Sequence, residues 1–120
     1  MDYKVMLDGT LKKVEGALIV SFCGVDGLGI ASSTYPVLPP NLELGDAQVA
    51  TFLVHKRDSL KQIGIEGFVE DITIAGRYVV LIRMVSEDYF VSMTCSQVVN
   101  VKKARYYLYL LAEQLRQEIT

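Results

Sequence analysis

The stretch 68–95, FVEDITIAGRYVVLIRMVSEDYFVSMTC, decides the fold. It divides into three runs, 68–75, 78–85 and 89–95, separated by Gly76-Arg77 and by Ser86-Glu87-Asp88. The outer runs alternate. Phe68, Glu70, Ile72 and Ile74 fall on one face and Val69, Asp71, Thr73 and Ala75 on the other, the period of two that a pleated strand imposes. In the third run Tyr89, Val91, Met93 and Cys95 oppose Phe90, Ser92, Thr94 and Ser96. The middle run, YVVLIRMV, is apolar on both faces apart from Arg83, as a central strand covered on two sides would be. Spacers this short fit hairpin turns, so the three strands are antiparallel neighbours.

Upstream of the meander lies a helix over 42–62. Ala47, Ala50, Leu53, Val54, Leu60 and Ile63 form its apolar stripe, and Gln48, His55, Arg57, Asp58 and Lys61 occupy the remaining surface. Gly64 ends it, and Asn41 is placed to cap its start. Before it, TYPVLPPN (34–41) carries all three prolines and reads as a surface loop. Further upstream, ALIVSF (17–22) and 28–33 are two more strands, joined by a turn at 23–27 in which Gly24 and Gly27 flank Val25-Asp26. Residues 3–14 form a first helix on the stripe Tyr3, Leu7, Leu11 and Val14, although Gly9 costs about 1 kcal/mol there relative to alanine. Downstream, 101–119 is a long helix with Val101, Ala104, Leu108, Leu111, Ala112, Leu115 and Ile119 on one face and Asn100 as its N-cap. Tyr106, Tyr109 and Leu110 make a second, partly apolar surface on it.

The resulting expectation is a single α+β domain over 1–120. Its order is αββαβββα, with a five-stranded antiparallel sheet and helices on both faces. A chain of this length buries about two-thirds of its unfolded surface, enough for a core without metal or disulfide. Hydrophobic residues make up 51% of it against 22% charged, an excess that points to apolar surface buried against a partner, most simply a second copy. The net charge of -2 supplies none of the concentrated basic surface that nucleic acid requires. No signal-peptide pattern opens the sequence and no apolar run approaches the length of a membrane span. The expected setting is therefore the cytoplasm, with Cys23 and Cys95 as buried free thiols.

Candidate chemistry is sparse. Gly24-Val25-Asp26-Gly27-Leu28-Gly29 has the glycines of a phosphate loop but leads into a strand rather than a helix and has no adjacent lysine. A hairpin turn accounts for it. His55 is the only histidine and has no companion ligands at metal-binding spacing. Pairing Cys23 as nucleophile with His55 as base leaves no third group to orient them. Glu70 and Asp71 are on opposite faces of a strand and cannot act together. No catalytic residue, cofactor or metal is expected, and the protein is read as no enzyme. His55, Lys56, Arg57 and Lys61 instead form a basic cluster suited to meeting an acidic surface. Lys102, Lys103 and Arg105 stand at the electrostatically unfavourable end of the last helix.

This element order, with Ala17-Leu18-Ile19-Val20, then Gly27-Leu28-Gly29-Ile30-Ala31-Ser32-Ser33, Tyr78–Ile82, and Asn100 followed by Ala104-Arg105-Tyr106, resembles the roadblock / dynein light chain family, including its bacterial MglB-like regulators of small GTPases. The resemblance spans nearly the whole chain; profilin-like domains share part of the layout. Two departures stand out. The turn at 21–27 is longer than the compact one usual in the family, and Asn100-Val101-Lys102 replaces the family's Asn-Leu-Gly.

The resemblance implies a dimer in which sheets join and two central helices lie side by side. Ala47, Ala50, Leu53 and Val54 would then be the dimer interface, and the strand before that helix the joining edge. It implies a non-enzymatic homodimeric regulator or scaffold of a small Ras-like GTPase, touched through Lys56, Arg57, Asp58, Lys61 and Gln62. In the bacterial regulators the activator inserts no arginine of its own. A dynein-light-chain-like adaptor and a small-ligand sensor with a pocket between sheet and helices remain the alternatives.

Overall fold

The computed structural model describes residues 2–38, 42 and 45–119. Its elements run α1 (Tyr3–Lys13), β1 (Ala17–Gly24), β2 (Gly29–Thr34), α2 (Gly45–Gln62), β3 (Glu70–Ala75), β4 (Tyr78–Met84), β5 (Tyr89–Ser96) and α3 (Val101–Ile119). The strands form one antiparallel sheet in the order β2-β1-β5-β4-β3. This is the α+β, roadblock- and profilin-like layout expected from the sequence.

The sheet separates two cores. On one face α1 and α3 pack on Val20, Phe22, Leu81, Met93 and Cys95. On the other α2 sets Ala50 and Leu53 against Cys23, Ile82, Met84 and Phe90. β4 contributes to both, Val79 and Leu81 to the first and Ile82 and Met84 to the second, which is why its sequence is apolar on both faces.

Local chemistry sets the helix ends. The Asp2 carboxylate accepts from the Val5 amide at 3.3 Å and opens α1. Asn100 Oδ1 accepts from the Lys103 amide at 3.1 Å and opens α3 where the sequence places its cap. At Gly16, φ is 93°, and an added Cβ would lie 3.2 Å from backbone atoms of Val99, so both the turn and the close approach require glycine. The expected start of α2 at 42 and the Asn41 cap cannot be followed, because residues 39–41, 43 and 44 lie outside the described residues.

Two boundaries differ from the sequence reading in an instructive way. β1 continues through Cys23 and Gly24, so the turn after it is short. The Gly24 amide donates to the Leu28 carbonyl at 2.9 Å, and the Gly27 amide to the Gly24 carbonyl at 3.0 Å. The long first turn expected from the sequence is thus a compact one. β3 begins at Glu70 rather than at 68. Gly67, at φ 78°, redirects the chain, so Phe68 packs into the α2-side core instead of following Ile72 and Ile74 on the opposite face.

Candidate functional site

With no catalytic constellation expected, the surface of interest is α2 and what surrounds it. An amphipathic helix must first cover its own sheet, and α2 does so with Val49, Ala50, Leu53 and, more weakly, Val54 and Leu60. Ala50 and Leu53 are 2% and 0% exposed, and so offer no side-chain surface to a second copy. Ala47 lies along Gly27 of the β1–β2 turn, where an added glycine Cβ would meet its Cα at 3.6 Å. The small residue permits close approach, but to this chain's own turn. Val54 is half-buried on the same flank.

The outward side of α2 is made by Gln48, Thr51, Phe52, His55, Asp58, Ser59 and Gln62. Phe52 is 38% exposed and Ile63, just past the helix, 72%. Sequence reading placed Ile63 in the buried stripe and gave Phe52 no role. An aromatic residue outside the stripe, between Thr51 and Leu53, was the available signal.

The five partner-facing candidates separate by geometry. Asp58, Lys61 and Gln62 are exposed. Lys56 is exposed along its length but donates its ammonium to Asp71 on β3, whose other oxygen accepts from Thr73 at 2.8 Å. Arg57 turns back toward the sheet. Its NH1 group donates to the Glu87 carbonyl at 2.9 Å, and its Nε lies 3.7 Å from Asp58. The basic cluster is therefore not one patch: His55 points outward, Lys56 is tied to β3, and Arg57 is tied to the β4–β5 turn. The buried Asp71 that fixes Lys56 was missed, because no local pattern pairs residues 15 positions apart.

Lys56–Asp71 also ties α2 to β3. β3 is an outer strand with Ile72 39% and Ile74 73% exposed, and Val69 just before it is 48% exposed. On the opposite face Glu70 bridges Arg83 at 3.5 Å and Arg105 at 2.8 Å, and Arg83 stacks 4.9 Å from the centre of the Tyr109 ring. Glu70 and Asp71 thus serve separate faces, and the charge of Arg105 at the start of α3 is matched by Glu70.

The remaining sequence candidates resolve simply. Cys23 is fully buried beneath α2 and His55 is exposed on its outer side, so they do not meet. Burial, with Asp46 nearby, pushes the Cys23 thiol up to about 12, and burial alone does the same for Cys95. Both are free thiols. The Gly24–Gly29 segment is the β1–β2 hairpin. Among the described residues no group of three or more His, Cys, Asp or Glu is placed to hold a metal ion. No described helix is long and apolar enough to cross a membrane. The interface of Tyr89, Val91 and Met93 with α3 is closed, with Val91, Met93, Leu108 and Leu111 nearly inaccessible, so no ligand pocket opens there.

No family model matches the sequence, and no curated protein matches it. Solved structures do. MglC from Myxococcus xanthus is 25% identical, with a TM-score of 0.72 over 99% of this chain and 100% of that one. A structure described as MglB with tetrameric arrangement is 19% identical, with a TM-score of 0.85 over 96% of this chain and 85% of that one. A Roadblock/LC7 domain from Streptomyces avermitilis is 12% identical, with a TM-score of 0.86 over 99% and 98%. The closeness of these matches shows the roadblock fold over nearly the full chain.

Proposed function

We propose that this roadblock-fold chain is a non-enzymatic regulator of a small Ras-like GTPase, acting as a homodimer whose paired α2 helices form the docking surface. The observation that carries the reading is the two-sided character of α2. Its inner face is fully used by its own sheet, and its outer face presents Phe52, His55, Asp58 and Gln62 without an intramolecular cover. Self-association of the MglB relative in a tetrameric arrangement supports the pairing step.

In this reading the second copy joins at the β3 edge rather than at the strand before α2. α2 is tied to β3 by Lys56–Asp71, and Phe52 on α2, Ile63 just after it, Val69 just before β3 and Ile74 on the other face of β3 are exposed apolar residues. A joined edge also removes the liability of an open strand. The GTPase then meets Asp58, Lys61 and Gln62 and the exposed stem of Lys56. Arg57 is held by a backbone carbonyl of its own chain and is no inserted catalytic arginine. The effect on hydrolysis is positional: the partner's mobile loops are held so that its own catalytic groups and water align, and correct alignment is a large part of the barrier in phosphoryl transfer.

The test is to mix the protein with its cognate GTPase in the GDP and GTP states and to measure binding and hydrolysis together. Binding that depends on the nucleotide, with faster hydrolysis, is expected. Lys61→Glu with Gln62→Ala should weaken it about tenfold or more. Absence of binding in both states overturns the reading, and binding without acceleration reduces it to a scaffold.

A further inference from the structure

The helix α2, the segment 65–69, the β4–β5 turn and Arg116 of α3 line a half-open cavity of about 430 Å³. That volume lies within the range of about 300–1,000 Å³ typical of small-ligand sites. Its apolar lining comes from Val25, Ile65, Phe68, Met84 and Val85. Its charged side carries Arg57, Lys61 and Arg116, against Glu87 and Asp88, whose side chains are exposed to solvent.

These cations differ in what they have left to give. Arg116 is engaged with the carbonyls of Val85 and Met84 and with Glu113, so it contributes positive potential rather than open donors. Arg57 is braced by the Glu87 carbonyl, and its Nε–H faces Asp58 at 3.7 Å and is closed to solvent, so any contact with a ligand falls to its terminal nitrogens. Lys61 has no ion-pair partner among the described residues. The Ser86 hydroxyl, which accepts from the Asp88 amide at 3.3 Å, keeps its own proton for donation. An anion supplies an acceptor to the Lys61 ammonium and to the Ser86 hydroxyl, and a charge-assisted bond to Lys61 is the stronger of the two.

We propose that this cavity binds an amphipathic organic carboxylate, its carboxylate held by Arg57, Lys61 and Ser86 and its short hydrocarbon body lying on Phe68, Met84 and Ile65. A neutral molecule leaves Lys61 unmatched; an inorganic anion leaves the apolar wall wet. The site needs neither a second copy nor a GTPase, so its failure is separable from that of the proposed regulator. Because Lys61 also stands on the docking side of α2, an occupied cavity would alter the surface offered to a partner.

The experiment is an amide chemical-shift titration of the intact protein alone, using octanoate as the probe, with octanamide and inorganic phosphate in parallel. Octanoate should give saturable shifts centred on Lys61, Gly67–Val69 and Ser86–Asp88, with octanamide and phosphate each binding about tenfold or more weakly. Lys61→Gln, an exposed change that leaves the core intact, should weaken octanoate about tenfold, and Arg57→Gln at least as much. Four results would each overturn the proposal: no saturable shift with octanoate at millimolar concentration, octanamide binding as tightly, phosphate reproducing the same shifts at the same affinity, or octanoate shifts confined to another surface.

Discussion

Asp8 is a good example of a residue whose part is set by tertiary structure. It stands on α1, takes a hydrogen bond from the buried Ser33 of β2 and pairs with Lys4 one turn before it at 3.2 Å. The Ser33 hydroxyl first, and Lys4 second, hold its carboxyl below the ordinary value of 3.8. A carboxyl whose folded-state pKa is depressed stabilises the fold in its charged form. That contribution is complete above pH 3.8 and is lost as pH falls through the lower folded value. The difference in urea stability between the native protein and Asp8→Asn should therefore be steady near neutral pH and shrink below pH 3.8. A difference that grows on acidification would contradict the assignment. The Ser33 bond was not legible in the sequence, because Asp8 and Ser33 are 25 positions apart. The Asn100 cap was legible, because a cap is made within one turn of chain.

The elements themselves were largely readable, since each rests on a local period or on glycine punctuation. What periodicity cannot say is which neighbour an apolar stripe covers. Of the stripe Ala47, Ala50, Leu53 and Val54, the buried Ala50 and Leu53 cover this chain's own sheet, Ala47 lies along the β1–β2 turn, and Phe52 is on the exposed side. A pair of adjacent substitutions separates the two roles. Leu53→Ala removes a fully buried side chain from the α2-side core and should cost about 2–5 kcal/mol in chemical denaturation, measured at a concentration too low for pairing. Phe52→Ala should stay within about 0.5 kcal/mol under the same conditions, as exposed substitutions usually do. Its effect should emerge instead as weaker self-association. Equal losses of stability from both changes would mean that α2 has no free outer face.

At the scale of the whole molecule, the proposed pairing would give part of the hydrophobic excess in the composition a place. Ile72 and Ile74 on β3, and Phe52 and Ile63 at α2, are among the large apolar residues that remain exposed after both cores are filled. The ladder makes the same edge chemically unfinished. The Met84 amide donates to the Val69 carbonyl, which makes 69 and 84 a hydrogen-bonded pair in the β3–β4 register. By the alternation of antiparallel ladders, Glu70, Ile72 and Ile74 then turn their amides and carbonyls away from β4, toward the free edge. A second sheet joining there would use those groups and no others of β3. Ile72→Pro removes one such amide without touching a bond of the chain's own ladder. It should leave the circular-dichroism spectrum unchanged while raising the self-association constant for dissociation about tenfold or more in sedimentation experiments. In parallel, the Ile72 and Ile74 amides of the native protein should exchange with solvent slowly at high concentration and rapidly on dilution, whereas those of Thr73 and Ala75, bonded to β4, should change less. Exchange at Ile72 and Ile74 that is independent of concentration, together with an unaltered association state in Ile72→Pro, would remove β3 from the interface and return the pairing to β2, the other edge of the sheet.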